Sequence, residues 1–277
     1  MALTAAVASS DVRAAGGWGL YVTLVAAGFR RWSTYRLAAL AGMSTNLVFG
    51  FMRCAVLLTV FDGAARVAGY DPSAAVTFVW VGQALIDIVL AWGSTQFGER
   101  VRSGDIAIDL VRPWDLQLAL LADDLGRVGF SLLVRFVPPM LVGAAFFDLR
   151  LPGGPVGWAA FAVAVPLAAL VGFAMRFLLN LTAFWLLDWR GVFGLYIITS
   201  GLLAGLIVPI GLFPRWAEIA VWCTPFPAML QVPADLLVER GNPLLLLAHQ
   251  LGWAIVLLWL GRVVLRRAER VLVVQGG

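Results

Sequence analysis

From residue 156 to residue 187 the chain runs through 32 consecutive positions with a single charged side chain, Arg176. A spanning helix takes about 20 mostly apolar residues, so this run crosses a bilayer with turns to spare. Pro166 sits inside it and no polar turn divides it. The expectation is one tilted helix broken at the proline, its inner end projecting from the bilayer, and not a hairpin of two spans. Further apolar runs cover 37–61, 74–97, 128–147, 192–213 and 243–264, which brings the predicted spans to six. The whole chain is 61% hydrophobic and 13% charged, against about 45–50% and about 25% in soluble domains. The predicted class is therefore an all-α integral membrane protein.

The segments between spans differ in kind. Residues 18–36 are apolar and aromatic but end in Arg30, Arg31, Trp32, Tyr35 and Arg36. That end is too polar to cross, and an amphipathic helix lying at headgroup level fits it; the alternative is the cationic flank of the first span. Residues 62–72 and 148–155 are short polar turns. Residues 214–242 carry Pro214, Pro225, Pro227 and Pro233 together with Trp216, Trp222, Glu218, Asp235, Glu239 and Arg240. No straight spanning helix tolerates so many prolines, and two short re-entrant helices dipping into the outer surface are expected, acting either as a gate or as a rigid cap. The domain reading is 1–36 for the N-terminus and interfacial helix, 37–264 for the membrane domain, and 265–277 for the C-terminus.

Arginine counting orients the chain. With the N-terminus in the cytoplasm, thirteen arginines face inward (13, 30, 31, 36, 100, 102, 112, 127, 190, 262, 266, 267 and 270) and four face outward (66, 150, 215 and 240). Cytoplasmic loops collect cations, so both termini are expected in the cytoplasm, as a multi-pass protein of a bacterial plasma (inner) membrane. Residues 1–17 lack the cationic start of a cleavable signal.

Several function classes fall away. All 20 basic residues are Arg, and without Lys a P-loop has nothing to reach the terminal phosphates; no ATPase and no enzyme is expected of this chain. Its cations are scattered rather than gathered on one face, which argues against nucleic acid. Cys54 and Cys223 are too few for a disulfide framework. The single His249 lies among leucines, so neither a His-based zinc site nor a Ser-His-Asp site is expected.

The loop of 99–115 packs seven charges into 17 residues: Glu99, Arg100, Arg102, Asp105, Asp109, Arg112 and Asp115. It must reach water. Gly104 supplies a turn and Pro113 stops or starts a helix, while Asp105, Asp109, Arg112 and Asp115 offer both signs for pairing across an interface. The loop, taken as 98–127, is either a docking element or a solvated connection. Within the spans, Asp87, Arg135 and Arg176 lie at similar depth, about 10–17 Å from the inner end at a helix rise of about 1.5 Å per residue. Asp87 is thus expected to pair with Arg135 or Arg176, as a polar site in a translocation path or as a structural ion pair. Arg53 lies nearer the outer side, paired elsewhere or facing an aqueous cavity. Gly201 and Gly205 form a G-x-x-x-G, which allows close helix packing within or between subunits.

Arg102-Ser103-Gly104-Asp105-Ile106, followed by Leu110-Val111-Arg112-Pro113-Trp114-Asp115, resembles the R-S-G-x-I … L-L-R-P-x-D loop of type-2 ABC exporter permeases; Val111 stands where Leu is commoner. Ser200-Gly201 through Pro209, Phe213-Pro214, Thr224-Pro225-Phe226 and Pro233 are similar to a second part of that family. The resemblance covers nearly the whole chain. It implies a permease paired with a second, identical or homologous permease. Two copies of an ABC ATPase subunit would sit beneath and bind ATP and Mg, with none bound by this chain. Glu99, Arg100, Arg102, Ser103, Gly104, Asp105, Asp109, Arg112, Pro113 and Asp115 become the ATPase-coupling residues. The substrate by family habit is a lipophilic or amphipathic small molecule, such as a drug, exported by alternating access. The alternative is an ion-coupled secondary transporter working without an ATPase, though no internal repeat supports one.

Overall fold

The computed structural model describes residues 17–61, 63–89, 95–112, 114–186 and 189–275, with the side chains of 36, 38, 89 and 271–275 aside. The described residues are mostly helical and contain no β-strand. In chain order the helices are α1 Gly17–Ser33, α2 Arg36–Thr59, α3 Pro72–Ala84, α4 Ile86–Val89, α5 Gln96–Ser103 and α6 Ile106–Leu110. There follow α7 Leu116–Phe146, α8 Pro155–Leu181, α9 Trp189–Leu203, α10 Arg215–Trp222, α11 Gln231–Leu237 and α12 Pro243–Gln275. Four of them, within Ala39–Thr59, Leu116–Phe146, Pro155–Phe184 and Pro243–Arg270, are long and apolar enough to cross a membrane.

The expected second span is interrupted, and the helix of the fifth is shorter than the sequence suggests. In the second, α3 ends at Ala84, Leu85 leaves helical geometry, and α4 follows as a separate turn. After the break, arginines of neighbouring helices reach two carbonyls of α4, Arg176 donating to Ile88 O at 2.9 Å and Arg127 to Asp87 O at 3.4 Å. A break in an apolar helix is tolerated where protein satisfies the backbone. Residues 90–94, the continuation of that span, lie outside the described residues, as do 1–16, Asp62, Pro113 and Asp188. The fifth, α9, is a 15-residue helix, about 22 Å long at the usual rise and short of an apolar core of about 30 Å.

Two other expectations are corrected. Pro166 lies inside α8 without ending it. The third long helix starts not near 128 but at Leu116, where the Asp115 side chain accepts the Leu118 N–H at 2.9 Å and caps it. Residues 116–127 are therefore helix and not loop, and their charges are matched by distant partners. Farther along, Pro138 and Pro139 remove two N–H donors, and the turn before them widens into a π segment, Leu132–Phe136, that carries Arg135.

α1 lies along the first half of α7. Leu20 and Leu24 bury against Ala119 and Ala122, and the backbones approach where each helix has a glycine. A β-carbon on Gly28 would collide with the carbonyl of Asp123, and one on Gly126 with the carbonyl of Val25. Gly126→Val is therefore expected to separate the two helices at a cost of about 1–3 kcal/mol or more. Thermal unfolding of the purified protein, together with proteolysis at α1, checks it; unchanged melting and protection would show the contact to be slack.

Loops gather at two ends. At one end Phe97, Val101, Ile106, Leu116, Phe177, Leu181, Trp189, Phe193 and Leu265 share a core, so α5, α6 and the termini of α7, α8, α9 and α12 meet there. At the other, Arg150 pairs with Asp71 at 2.6 Å, Gly153 N–H donates to Glu239, and Arg240 donates to Ala68 O at 3.2 Å. Between the ends, α3 and α11 run through the main core with α8.

Candidate functional site: an elbow braced on a buried ion-pair network

Helices α5 and α6 make an elbow. Phe97 and Val101 put the apolar side of α5 against the body, and Ile106 does the same for α6 with no exposed surface. Phe97 stacks on Phe177 with ring centroids 5.6 Å apart. Gly98 N–H donates to Asn180 Oδ1 at 2.9 Å, and the Trp189 ring lies so close that a β-carbon on Gly98 would meet it at 2.7 Å. The turn between the helices needs φ near +81° at Gly104, which an L side chain resists.

The elbow's charges divide into two sets. Asp109 is buried and paired with Arg100, with Arg112 at 3.9 Å on its other oxygen. Arg112 also lies over the Trp114 ring at 4.8 Å. Asp115 caps α7 and pairs with Arg262 of α12. Glu99 stands 3.9 Å from Arg190 of α9. The Arg100–Asp109 and Asp115–Arg262 pairs fold the elbow and tie it to α12, while Glu99 and Arg190 meet only as exposed side chains. Arg102, Ser103, Gly104, Asp105, Ile108 and Val111 face outward, Val111 at 82% exposure. Asp105 accepts from Ser103 Oγ at 2.7 Å.

Behind the elbow lies a chain of buried ion pairs. Asp87 of α4 accepts from Arg135 at 2.7 Å and from Ser131 Oγ at 2.6 Å. Arg176 of α8 does not reach Asp87. It pairs at 2.8 Å with Asp124, which also takes Arg127 at 2.7 Å. Asp123 next door pairs with Arg31 of α1 at 2.6 Å. One carboxylate thus serves two buried guanidinia and binds α8 to α7. Asp123, Asp124, Arg127 and Arg31 were missed as a site because charges at 123–127 read as loop. The signal was their spacing, since 123, 124 and 127 share one helical face at i, i+3 and i+4.

Among the described residues, Arg53 meets no acid. It donates to Leu206 O at 2.9 Å, in the turn after α9. Gly201 and Gly205 do not share a helix face, because α9 stops at Leu203 and Gly205 turns left-handed at φ +86°. The second glycine ends a helix against Gln231, whose Oε1 a β-carbon there would meet at 2.5 Å.

The far end holds a second buried polar group. Tyr70 Oη donates to Asp235 at 2.6 Å, and Gln231 Nε2 donates to both Tyr70 Oη (2.8 Å) and Asp235 (2.9 Å). Arg240 pairs with Asp235 at 3.1 Å and lies over the Tyr70 ring. Burial pushes the Asp235 carboxyl above the usual range, against the pull of Arg240 and its hydrogen bonds; burial also raises the Tyr70 hydroxyl. Two polar residues at i, i+4 in an apolar stretch, Gln231 and Asp235, were the available signal. Asp235→Ala is expected to cost about 3–5 kcal/mol, since it strands Gln231 and Tyr70 in a dry core. A denaturation series on the purified variant measures it, and a loss below 1 kcal/mol would mean that water reaches the group.

This geometry offers mechanical linkage. The described residues hold no group of three or more His, Cys, Asp or Glu able to take a metal. His249 Nε2 lies 3.1 Å from the Trp222 carbonyl. No curated protein and no solved structure matches the chain at a significant level. The family described as ABC-2 family transporter protein matches residues 47–276, a span that takes in the elbow, the second polar group, the first apart from Arg31, and every helix from the middle of α2 onward. An all-helical body with four membrane-length helices agrees with that match, and the chain belongs to the ABC-2 transporter family as a multi-pass membrane permease.

Proposed function

We propose that this permease forms the translocation path of an ATP-driven exporter and is moved through its elbow by a separate ABC ATPase. The observation that carries the reading is the division of the elbow's surface. Its inward side is fixed by Phe97, Val101, Ile106 and the Arg100–Asp109 pair, while Arg102, Asp105, Ile108 and Val111 stand in the open. Two large apolar side chains between charges of both signs make a surface suited to a groove on a soluble partner. The elbow is also joined to α9 by the packing of Gly98 against Trp189 and to α12 by Asp115–Arg262, so force applied there reaches helices on several sides.

In this reading the chain crosses the inner membrane six times, with the elbow and both termini in the cytoplasm. The two clusters of loops and the thirteen-to-four arginine count support that path. α1 lies in the inner interface, and α10 and α11 re-enter from outside. Two ATPase subunits supply ATP and Mg chemistry, a second permease completes the path, and alternating access expels a lipophilic or amphipathic small molecule. Co-expression with the ATPase encoded beside it tests the core of this. Recovery of the two proteins in equal amounts, with transport only in the presence of ATP, is expected. Transport driven by an ion gradient in vesicles holding this chain alone would overturn it.

A further inference from the structure

α12 is 33 residues long, about 50 Å at the usual rise, against an apolar core of about 30 Å. It begins at the end opposite the elbow, where Asn242 Oδ1 accepts the Leu244 N–H at 2.9 Å. Its last turns reach the elbow's end, where Arg262 pairs with Asp115. A core of about 20 residues counted from Leu244 runs to Val263. Arg266, Arg267 and Arg270 follow about 5–10 Å farther on, at headgroup depth. All three are exposed, and among the described residues none of them forms an ion pair. Glu269, the one acid on this turn, is half-buried and borders the cleft between α12 and the elbow together with Arg266. Setting Glu269 against Arg266 still leaves Arg267 and Arg270 unmatched among the described residues.

The same face of α12 is apolar nearer its middle. Ile255, Trp259, Arg266 and Arg270 follow one another at spacings of four, seven and four residues, and Val256 stands eleven before Arg267, so they form one stripe. Ile255 and Trp259 are 59% and 65% exposed. We infer that this stripe binds an anionic phospholipid in the leaflet at the elbow's end, its phosphate on Arg266, Arg267 and Arg270 and a chain along Ile255, Val256 and Trp259. Guanidinia meet phosphate through paired, charge-assisted hydrogen bonds, and basic residues just past a spanning helix draw anionic headgroups. A soluble acidic protein would match the arginines but not the apolar half of the stripe, which favours the lipid. No ATPase enters this site, so failure of the coupling reading leaves it standing.

The test is native mass spectrometry of the full-length chain in uncharged detergent, titrated with phosphatidylglycerol and with phosphatidylcholine of the same chains. Each unmatched arginine is expected to favour the anionic lipid about fivefold. Phosphatidylglycerol should therefore bind about 25-fold tighter for the two of them, and less so at high salt. Arg267→Gln combined with Arg270→Gln should reduce the preference to about twofold or less; both side chains are exposed, so the fold is not at stake. Trp259→Ala should weaken both lipids alike, since it removes apolar wall and no charge. Arg30→Gln, at an exposed arginine of α1, should leave the preference unchanged. Equal affinity for the two lipids, a preference that survives the paired arginine substitutions, one that Arg30→Gln lowers as much, or lipid binding untouched in Trp259→Ala would overturn the inference.

Discussion

Asp124→Ala is expected to destabilise the protein by about 3–5 kcal/mol, the cost of breaking a buried ion pair from one side. The carboxylate holds Arg127 at 2.7 Å and Arg176 at 2.8 Å, and both guanidinia are almost wholly buried. Removing it leaves two cations packed side by side with nothing between them, in a region where each also donates to a carbonyl of α4, those of Asp87 and Ile88. α7, α8 and the α3–α4 junction should loosen together. Asp124→Asn keeps the acceptor but not the charge and should lose less. Arg176→Met in the Asp124→Ala background should recover part of the loss, because an apolar chain of similar volume replaces an unpaired cation. A double-mutant cycle by equilibrium denaturation reads this coupling. Additive losses would mean that the three groups are hydrated.

Arg102→Glu combined with Asp105→Arg is expected to abolish stimulation of the partner ATPase and substrate efflux while leaving stability within about 0.5 kcal/mol of wild type. Both side chains are exposed on the outer side of the elbow, and their neighbours on the inner side are untouched. The inner pair gives the opposite pattern. Asp109→Ala strands Arg100 inside the elbow and should lower stability before it touches coupling. Unaltered efflux and ATPase activity in the charge-swapped variant, or a matched fall in stability, would remove the elbow from the coupling path.

The position of this elbow was legible in the sequence because charge cannot lie in hydrocarbon, so seven charges between apolar runs had to emerge. Which of them face outward was not. α5 has eight residues and α6 five, too few turns for a periodic pattern to separate Asp105, which points out, from Asp109, which points in. The start of α7 was hidden for a related reason. Asp123, Asp124 and Arg127 count against a membrane helix until their partners are known, and Arg31 and Arg176 lie far off in the sequence. The break at Leu85 was hidden because 74–97 holds no proline to mark it. Gly205 shows the converse error: a G-x-x-x-G spacing suggests a packing face, but the positive φ of its second glycine ends the helix. Membrane class, the position of most helices and the broken-up segment 214–242 followed from hydropathy and proline alone.

The central claim is that a soluble ATPase grips the outer side of the elbow. A photo-crosslinking residue placed at Val111, the most exposed apolar position on it, tests this most directly in membranes that contain the whole complex. The expected result is one adduct of the permease with the ATPase, strengthened or weakened by ATP and lost when the residue is moved to buried Ile106. An adduct formed only with a component outside the cell, or labelling of position 111 by a reagent that cannot cross the membrane, would contradict the account.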